Sequence, residues 1–233
     1  MARLRNTSMP SSNRKVRRRA LALAIACLLG GCSSEGGGDW GSIYTMARQA
    51  WSGDKPRVTL EQAAAMPYAS MGVRLGSGPQ IMILLAGDAG GQLLWTSAAR
   101  IALTTQNGRI IRTAGFGNDL GGYSSFGDAY KEGGAWFAAQ TVRWQADFPD
   151  LKLFSVPIVC RDQPRGEETI TILGTDIHAL RVDESCASEG GRLDWSFENT
   201  YWVDPASSLV WRSIQHVHPA LDAIEMEVLR PPV

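Results

Sequence analysis

The sequence predicts a mainly β protein, either an antiparallel sandwich or a partly open barrel of about 10–12 strands, with one or two short N-terminal helices. From residue 69 onward, short apolar segments follow one another and are separated by turn-forming residues. Asn107-Gly108 marks a tight hairpin near the middle of the chain. The C-terminal segments alternate apolar and polar side chains, which is typical of strands with one covered face.

The N-terminal 31 residues have the features of a bacterial export signal. Seven Lys or Arg residues and no acidic residue occur in the first nineteen positions, and an apolar run follows over 20–29. This run is about ten residues long, whereas a membrane-spanning helix needs roughly twenty. We therefore expect a signal peptide over 1–31 rather than a retained transmembrane helix.

The motif LGGC at 29–32 resembles a bacterial lipobox, in which the cysteine is lipidated on its thiol and becomes the new N-terminus. The resemblance implies that Cys32 carries several acyl chains, such as palmitate, which together give stable membrane anchoring. Ser33 follows, and in enteric bacteria this resembles an outer-membrane sorting signal. Residues 32–39 are then a flexible tether to a single β-rich domain over 40–233. The alternative is an ordinary signal peptide with a chance cysteine.

Removal of the signal peptide leaves an acidic domain. Seven of the 23 basic residues lie in the signal peptide, so 16 remain against 23 acidic residues. Nucleic acid and anionic lipid headgroups are poor partners for a surface with this net charge. A strongly acidic polysaccharide would also need a local basic patch.

Two short helices are predicted before the first strand. Trp40–Trp51 places its apolar residues at helical spacing. Thr59 and Gln62 fit a capping box with Thr59 as the N-cap, and Pro67 ends the helix that follows.

The hairpin over 99–114 gives the most specific structural prediction. A type I′ turn at Asn107-Gly108 needs positive φ at both positions, which these two residues tolerate. The resulting register pairs Thr105 with Ile110, Leu103 with Arg112 and Ile101 with Ala114. The polar face then carries Thr104, Gln106, Arg109 and Thr113, and only Ile111 breaks the pattern. We expect a half-buried ribbon that other strands cover on one side.

Further strands are predicted on both sides of this hairpin. They span about 69–75, 80–86, 92–96, 136–145, 151–160, 168–173, 177–183 and 209–217. The apolar face of another strand carries Trp195, Phe197, Tyr201 and Val203. In the last strand, Glu225 and Glu227 alternate with apolar residues, which predicts one solvated face.

Residues 115–134 are predicted to be a long loop, with seven glycines and four aromatic residues. Loops of this length are uncommon without a role. The aromatic residues are candidate contacts to sugar rings or to a partner protein, namely Phe116, Tyr123, Phe126 and Tyr130. Trp202, on the polar side of its strand, is a further candidate. Alternatively, the loop is a simple connection whose aromatic side chains fix it to the core.

The sequence predicts no catalytic residue and no cofactor. It lacks the nucleophile-elbow, zinc-protease, phosphate-loop and dinucleotide-binding motifs. A glycosidase would need paired carboxylates, for which Glu167-Glu168 and Asp183-Glu184 are candidates. Neighbouring strand residues point to opposite faces, so solvated turn ends are the favoured interpretation.

No metal site is predicted either. His216 and His218 would share one face if the strand over 209–217 continues. A zinc site needs more than two ligands, and His178 is distant in sequence. A histidine pair at a strand edge or rim is the simpler interpretation.

Two cysteines remain in the domain once Cys27 of the signal peptide and the lipidated Cys32 are set aside. In an oxidising compartment, Cys160 and Cys186 are predicted to form a disulfide that closes a loop of about 26 residues and contributes about 3 kcal/mol. The alternative is a catalytic thiol, but no local motif pairs either cysteine with a histidine.

Several segments together are similar to the YjbF-type group 4 capsule lipoproteins. They are the lipobox, MPYASMGVRLG at 66–76, NGRIIRTAGFGNDL at 107–120, the cysteine pair and NTYWVDPASSLVWRSIQ at 199–215. Ser207-Ser208 departs from the glycine-containing turn expected at that point. The resemblance implies a β-rich outer-membrane lipoprotein facing the periplasm. It would assist assembly or export of capsule or exopolysaccharide by binding the glycan or an export protein, without enzymatic activity.

Two other function classes remain open. A lipid or lipoprotein carrier would have a deep apolar cavity in a half-open barrel. A hydrolase would have carboxylates about 5–10 Å apart in a cleft. A packed interior with an aromatic groove outside would favour glycan or protein binding.

Overall fold

The computed structural model describes residues 57–125 and 135–232. This part of the chain confirms the mainly β prediction, with twelve antiparallel strands in a nearly closed, barrel-shaped sheet. The strands are β1 (Ser70–Leu75), β2 (Gln80–Ala89), β3 (Gln92–Thr96), β4 (Ala102–Gln106), β5 (Arg109–Ala114), β6 (Gly122–Ser125), β7 (Gln140–Phe148), β8 (Leu153–Ile172), β9 (Thr175–Ser188), β10 (Ser196–Val203), β11 (Val210–Gln215) and β12 (Ile224–Arg230). A short α-helix, α1 (Leu60–Ala64), precedes them, and a 3₁₀ turn (Ala135–Phe137) precedes β7. Cys32, the tether and the predicted helix over Trp40–Trp51 lie outside the described residues.

The sheet is a meander with one long-range closure. Strands β1 to β5, and likewise β6 to β12, pair in the order in which they follow in sequence. β1 also pairs with β12 from Leu75 opposite Ile224 to Ser70 opposite Arg230, so both ends of the meander meet in mid-sheet. β5 and β6 are consequently the edge strands, and no ladder joins them in the described chain. We call the gap between these two strands the seam.

The helix α1 begins at the predicted capping box. The Oγ1 of Thr59 accepts a hydrogen bond from the backbone N–H of Gln62 (3.2 Å), and the side chain of Gln62 accepts one from the backbone N–H of Thr59 (2.9 Å). These two bonds satisfy donors that a helix start leaves free. The helix ends at Ala64, before Pro67, as predicted.

The hairpin of β4 and β5 confirms the predicted turn but only part of the register. Asn107 and Gly108 have φ of 50° and 77°. Thr105 lies opposite Ile110 as predicted, but a register shift follows at Ile111. The observed pairs beyond it are Thr104 with Arg112, Leu103 with Thr113 and Ala102 with Ala114. The predicted pairs beyond the shift are wrong because Ile111, which broke the alternation, is the extra residue of a β-bulge.

The tip of this hairpin is covered on both faces. The amide of Gln215 in β11 accepts from the backbone N–H of Ile110 (2.9 Å) and donates to the carbonyl of Gly108 (2.8 Å). Arg109, predicted on the polar face, is consequently buried, with 2% of its surface exposed. The half-buried ribbon predicted from sequence is therefore wrong at its tip, because β11 supplies a second layer.

β8 runs without a break through two predicted strands, over 151–160 and 168–173. The predicted interruption is wrong because a bulge between Pro164 and Gly166 accommodates the turn-forming residues within the ladder to β9. The long β8–β9 hairpin then reaches β12, against which its tip lies.

The inner face of the sheet carries the hydrophobic core. The predicted apolar face of β10 is confirmed, since Tyr201 and Val203 are fully buried and Phe197 packs against the same cluster. Other large buried side chains are Trp95, Leu103, Phe148, Ile158 and Ile224.

The outer face of β12 is covered rather than solvated. Glu225 and Glu227 are buried, because Arg57 bonds to both (3.1 and 3.0 Å), Arg74 pairs with Glu225 and Arg212 pairs with Glu227 (2.5 Å). Arg212 also donates to a backbone carbonyl at the tip of the β8–β9 hairpin (2.8 Å). Burial alone would lower the pKa of Arg57, but the carboxylates of Glu227 and Glu225 outweigh it and raise that pKa. The predicted solvated face is therefore wrong, because three arginines cover both acids.

Candidate functional site

The predicted aromatic loop is partly strand. Tyr123 lies in β6, and its ring stacks on inward-facing Trp144, with centroids 4.6 Å apart. Phe116 packs against the core. Phe126 and Tyr130 lie outside the described residues. For Phe116 and Tyr123, the structure agrees with the alternative in which aromatic side chains fix this segment to the core.

Trp202 lies on the outer face of β10 and is half-buried. Its Nε1 donates to the carboxylate of Glu168 (2.9 Å), and the guanidinium of Arg212 lies 5.8 Å from its ring centroid. A role of this side chain in partner contact stays a prediction.

An ion pair that the sequence did not reveal lies inside the barrel. Arg109 donates through Nη1 and Nη2 to the two carboxylate oxygens of Glu184, at 2.9 and 2.5 Å. Glu184 also accepts from Asn199 (2.7 Å) and from the hydroxyl of Tyr201 (3.2 Å). Glu184 has no exposed surface, so the predicted solvated turn end is wrong at this residue. We call these four residues the buried ionic cluster.

Asp183, the neighbour of Glu184, confirms that adjacent strand residues point to opposite faces. It bonds to Arg181 (2.8 Å) and Arg165 (2.9 Å) on the outside of the sheet. Burial opposes ionisation of Asp183, but the hydrogen bonds from these arginines outweigh it and lower the pKa of the carboxyl. The hydrogen bond that Arg181 donates to this carboxylate raises the pKa of Arg181.

Aromatic rings surround the guanidinium of Arg109. Its central carbon lies 4.7 Å from the ring centroid of Trp144 and 5.2 Å from that of Tyr201. Trp136 and Tyr123 lie at 5.9 and 6.0 Å. The negative faces of these rings stabilise the buried cation and partly replace the water that it lost.

The carboxylate of Glu184 is saturated by contacts within the buried ionic cluster. Glu184 accepts four hydrogen bonds, which matches the roughly four acceptor positions of a carboxylate. Its charge is matched by Arg109 in a bidentate pair, the geometry that such pairs favour. These contacts indicate that the cluster holds β5, β9 and β10 together.

The predicted disulfide joins Cys160 and Cys186, which lie directly opposite each other on β8 and β9. In residues 57–125 and 135–232, these two sulfurs and Glu184 are the only group of three possible metal ligands within reach of one another, at 4.8 Å or less. Both sulfurs are bonded to each other and Glu184 is saturated, so these residues do not fit a metal ion.

The three histidines do not converge. His216 is bonded to the carbonyl of Glu198 (2.8 Å), and His178 to the hydroxyl of Thr169 (3.0 Å). His218 is buried against Phe148, and its Nε2 lies 3.1 Å from the carboxylate of Asp150.

A polar groove of about 330 Å³ lies across the seam on the outside of the sheet. Its polar side chains come from five strands, and they are Gln92, Thr104, Arg112, Ser124, Gln145 and Asp147. We call it the seam groove. Ser155 of β8, a sixth strand, also lines it, and its backbone N–H donates to the carboxylate of Asp147 (2.7 Å). No sequence pattern marked these residues, because they meet only through the topology of the sheet.

A second cavity of about 260 Å³ opens at the tip of the β4–β5 hairpin and is mainly apolar. Met71, Trp95, Val210 and Met226 are among its lining residues, and the turn around Ser208 borders it. The described part of the barrel therefore contains a buried ion pair and, separately, a mainly apolar cavity.

Comparison with known proteins identifies the family. Residues 43–229 match the family described as group 4 capsule polysaccharide lipoprotein gfcB, YjbF. The chain belongs to this family. Two relatives are uncharacterized lipoproteins of Escherichia coli K12. GfcB is 28% identical over 223 residues, covering 91% of this chain and 99% of GfcB, and YjbF is 26% identical over 201 residues, covering 80% and 86%.

A solved structure of a hypothetical lipoprotein, YmcC of Escherichia coli K12, has the same fold as this YjbF-family chain. The TM-score is 0.59 at 24% identity, with 87% of this chain and all of YmcC covered. Among the described residues of the YjbF-family chain, no helix has the length and apolar character that crossing a membrane demands.

Proposed function

We propose that the protein assists assembly or export of capsule or exopolysaccharide as a lipid-anchored component of the outer membrane that faces the periplasm. The family match over residues 43–229 carries this proposal, because the family is described by its capsule polysaccharide. Anchoring would occur through Cys32. The partners would be the glycan itself or proteins of the export machinery.

Binding rather than catalysis is the proposed mode of action. The carboxylate of Glu184, in the buried ion pair with Arg109, uses its hydrogen-bonding capacity within the protein. The seam groove, in contrast, presents polar side chains to the outside. Such a surface suits recognition of a polar ligand or partner.

Surface polysaccharide in a deletion strain tests the proposal. The strain is complemented with the native gene, with Cys32→Ser, or with Cys27→Ser as a matched control inside the predicted signal peptide. We expect deletion to abolish export, and the native and Cys27→Ser genes to restore it, whereas Cys32→Ser does not. Unchanged polysaccharide after deletion would contradict the proposed function. Full rescue by Cys32→Ser would contradict the role of the anchor.

A lipid or lipoprotein carrier is the second candidate, and the apolar cavity favours it. Trp95 and Trp211 line this cavity and can report its occupancy. A brominated medium-chain fatty acid bound there should quench tryptophan fluorescence saturably, and less so in Trp211→Phe. Quenching that does not saturate, or that is equal in both proteins, would count against a carrier.

A further inference from the structure

We infer that the seam groove is a saccharide-binding site that takes a sugar unit bearing an anionic group, with Arg112 contacting the anion. The inference rests on the proposed function only in taking a glycan as the ligand. The shape, the side chains and the charge of the groove support it independently.

The topology leaves the groove open. β5 and β6 are edge strands, so no ladder covers the space between them in the described chain. The two strands are connected instead through the loop before β6, where Thr113 donates from its backbone to the carbonyl of Leu120 (3.0 Å) and Gly121 donates to that of Asp147 (2.9 Å). The floor of the groove includes Ile111, the bulge residue. The resulting groove has a volume of about 330 Å³, which is at the lower end of the range of roughly 300–1,000 Å³ for small-molecule sites.

The side chains of the groove have unused hydrogen-bonding capacity. Thr104, Arg112, Ser124 and Gln145 make no side-chain hydrogen bond to residues 57–125 and 135–232. Glu184 differs in this respect, because its carboxylate is fully hydrogen-bonded inside the barrel. Planar amide and guanidinium groups can bind two neighbouring oxygen atoms at once, which matches the adjacent hydroxyls of a sugar. The groove thus offers donors and acceptors to a ligand, which the carboxylate of Glu184 does not.

The charged side chains of the groove favour a sugar that carries an anionic group. Arg112 is exposed and has no carboxylate partner in the described part of the chain, unlike Arg57, Arg74 and Arg212. Asp147 has one carboxylate oxygen held by the backbone N–H of Ser155 (2.7 Å), and its other oxygen can accept from a hydroxyl. A sugar with a carboxylate at Arg112 and hydroxyls at Asp147 would satisfy both ends. Arg112 thus provides a local positive charge on a domain whose net charge is negative.

Titration calorimetry with defined oligosaccharides tests the inference. The full mature protein in detergent is titrated with a trisaccharide that ends in glucuronic acid and with the same trisaccharide ending in glucose. The variants are Arg112→Gln, Gln145→Ala and a control, Arg230→Gln, which removes the same charge from the exposed last residue of β12. Thermal unfolding checks that each variant is folded.

We expect native protein and Arg230→Gln to prefer the acidic trisaccharide by about tenfold or more, the effect of one charge-assisted hydrogen-bonded pair. Arg112→Gln should lose this preference, and Gln145→Ala should weaken binding of both trisaccharides. Absence of binding to native protein at millimolar ligand, or a preference retained in Arg112→Gln, would overturn the inference.

The polysaccharide assay of the deletion strain separates this inference from the proposed function. If deletion abolishes export while the groove binds neither trisaccharide, the site is wrong and the proposed function stands. If the groove binds as expected while deletion leaves the polysaccharide unchanged, the site stands and the proposed function is wrong.

Discussion

Replacing Glu184 by Gln removes one charge from the buried ionic cluster and changes little in size. The new amide nitrogen must occupy one of the two oxygen positions. At Oε1 it would face Nη2 of Arg109, and at Oε2 it would face donors from Arg109, Asn199 and Tyr201. At least one hydrogen bond is therefore lost, and the new amide N–H group faces another donor group at that position. Arg109 also loses the carboxylate with which it forms its bidentate pair.

The expected cost is about 3–5 kcal/mol, the range for removing one partner of a buried ion pair. The upper part of this range applies only if the guanidinium remains dry. The aromatic rings around Arg109, the nearest at 4.7 Å, recover part of its solvation and favour a value near 3 kcal/mol. The free energy of unfolding of a domain of this kind is about 5–15 kcal/mol, so the substitution would remove a large part of it.

Urea unfolding followed by tryptophan fluorescence measures this cost. Asp183→Asn is the matched control, since it makes the same chemical change one residue away on the outer face, where exposed pairs contribute about 1 kcal/mol or less. The double variant Arg109→Met with Glu184→Gln removes both charges. We expect its loss in free energy of unfolding to be about 2 kcal/mol smaller than the sum of the losses in the two single variants. Equal unfolding midpoints for Glu184→Gln and Asp183→Asn would refute the structural role of the pair.

Three further outcomes are expected. Replacing Cys160 and Cys186 by Ser should lower the free energy of unfolding by about 3 kcal/mol; an unfolding midpoint unaffected by reductant in native protein would contradict this. Ser208 has φ of 62°, so Ser208→Gly should raise the stability by about 1 kcal/mol, measured by thermal unfolding, and any loss would show that the turn is not strained. Despite burial, hydrogen bonds from Arg181 and Arg165 lower the pKa of Asp183. The contribution of Asp183 to the free energy of unfolding is therefore present above the unfolded-state pKa of about 3.9, and it is lost as pH falls through the folded-state pKa. The stability difference between native protein and Asp183→Asn should therefore shrink below about pH 4, and a difference that persists in acid would contradict the assignment.

Local features of the fold were readable from the sequence. The turn at Asn107-Gly108 and the capping box at Thr59 depend on neighbouring residues alone, and both are present. The bulge left a trace, because Ile111 broke the alternation of its strand. Its effect on the register was not readable, since a bulge and a misplaced apolar residue have the same local pattern.

Features that depend on which distant segments meet were not readable. Arg109 and Glu184 are 75 positions apart, and no local sequence pattern links them. Glu225 has the alternation of a strand with one wet face, but alternation does not reveal that Arg57 and Arg74 cover that face. The seam groove depends on which strands are edges, which the pairing of β1 with β12 decides. The residues of these sites are therefore brought together by the strand pairing of the sheet, and no local motif marks them.

The pairing of β1 with β12 also determines the order in which the molecule can be completed. The two meanders, β1 to β5 and β6 to β11, consist of neighbour contacts that form quickly. In the described chain, the ladder that joins them is made by the last strand, Ile224–Arg230. Until that segment is synthesised, β1 and β11 are free edges that invite wrong pairing. A chain truncated before Ile224 should therefore aggregate rather than form a smaller barrel. A circular permutant that starts at β6 and ends at β5 would convert the closing ladder into an ordinary hairpin.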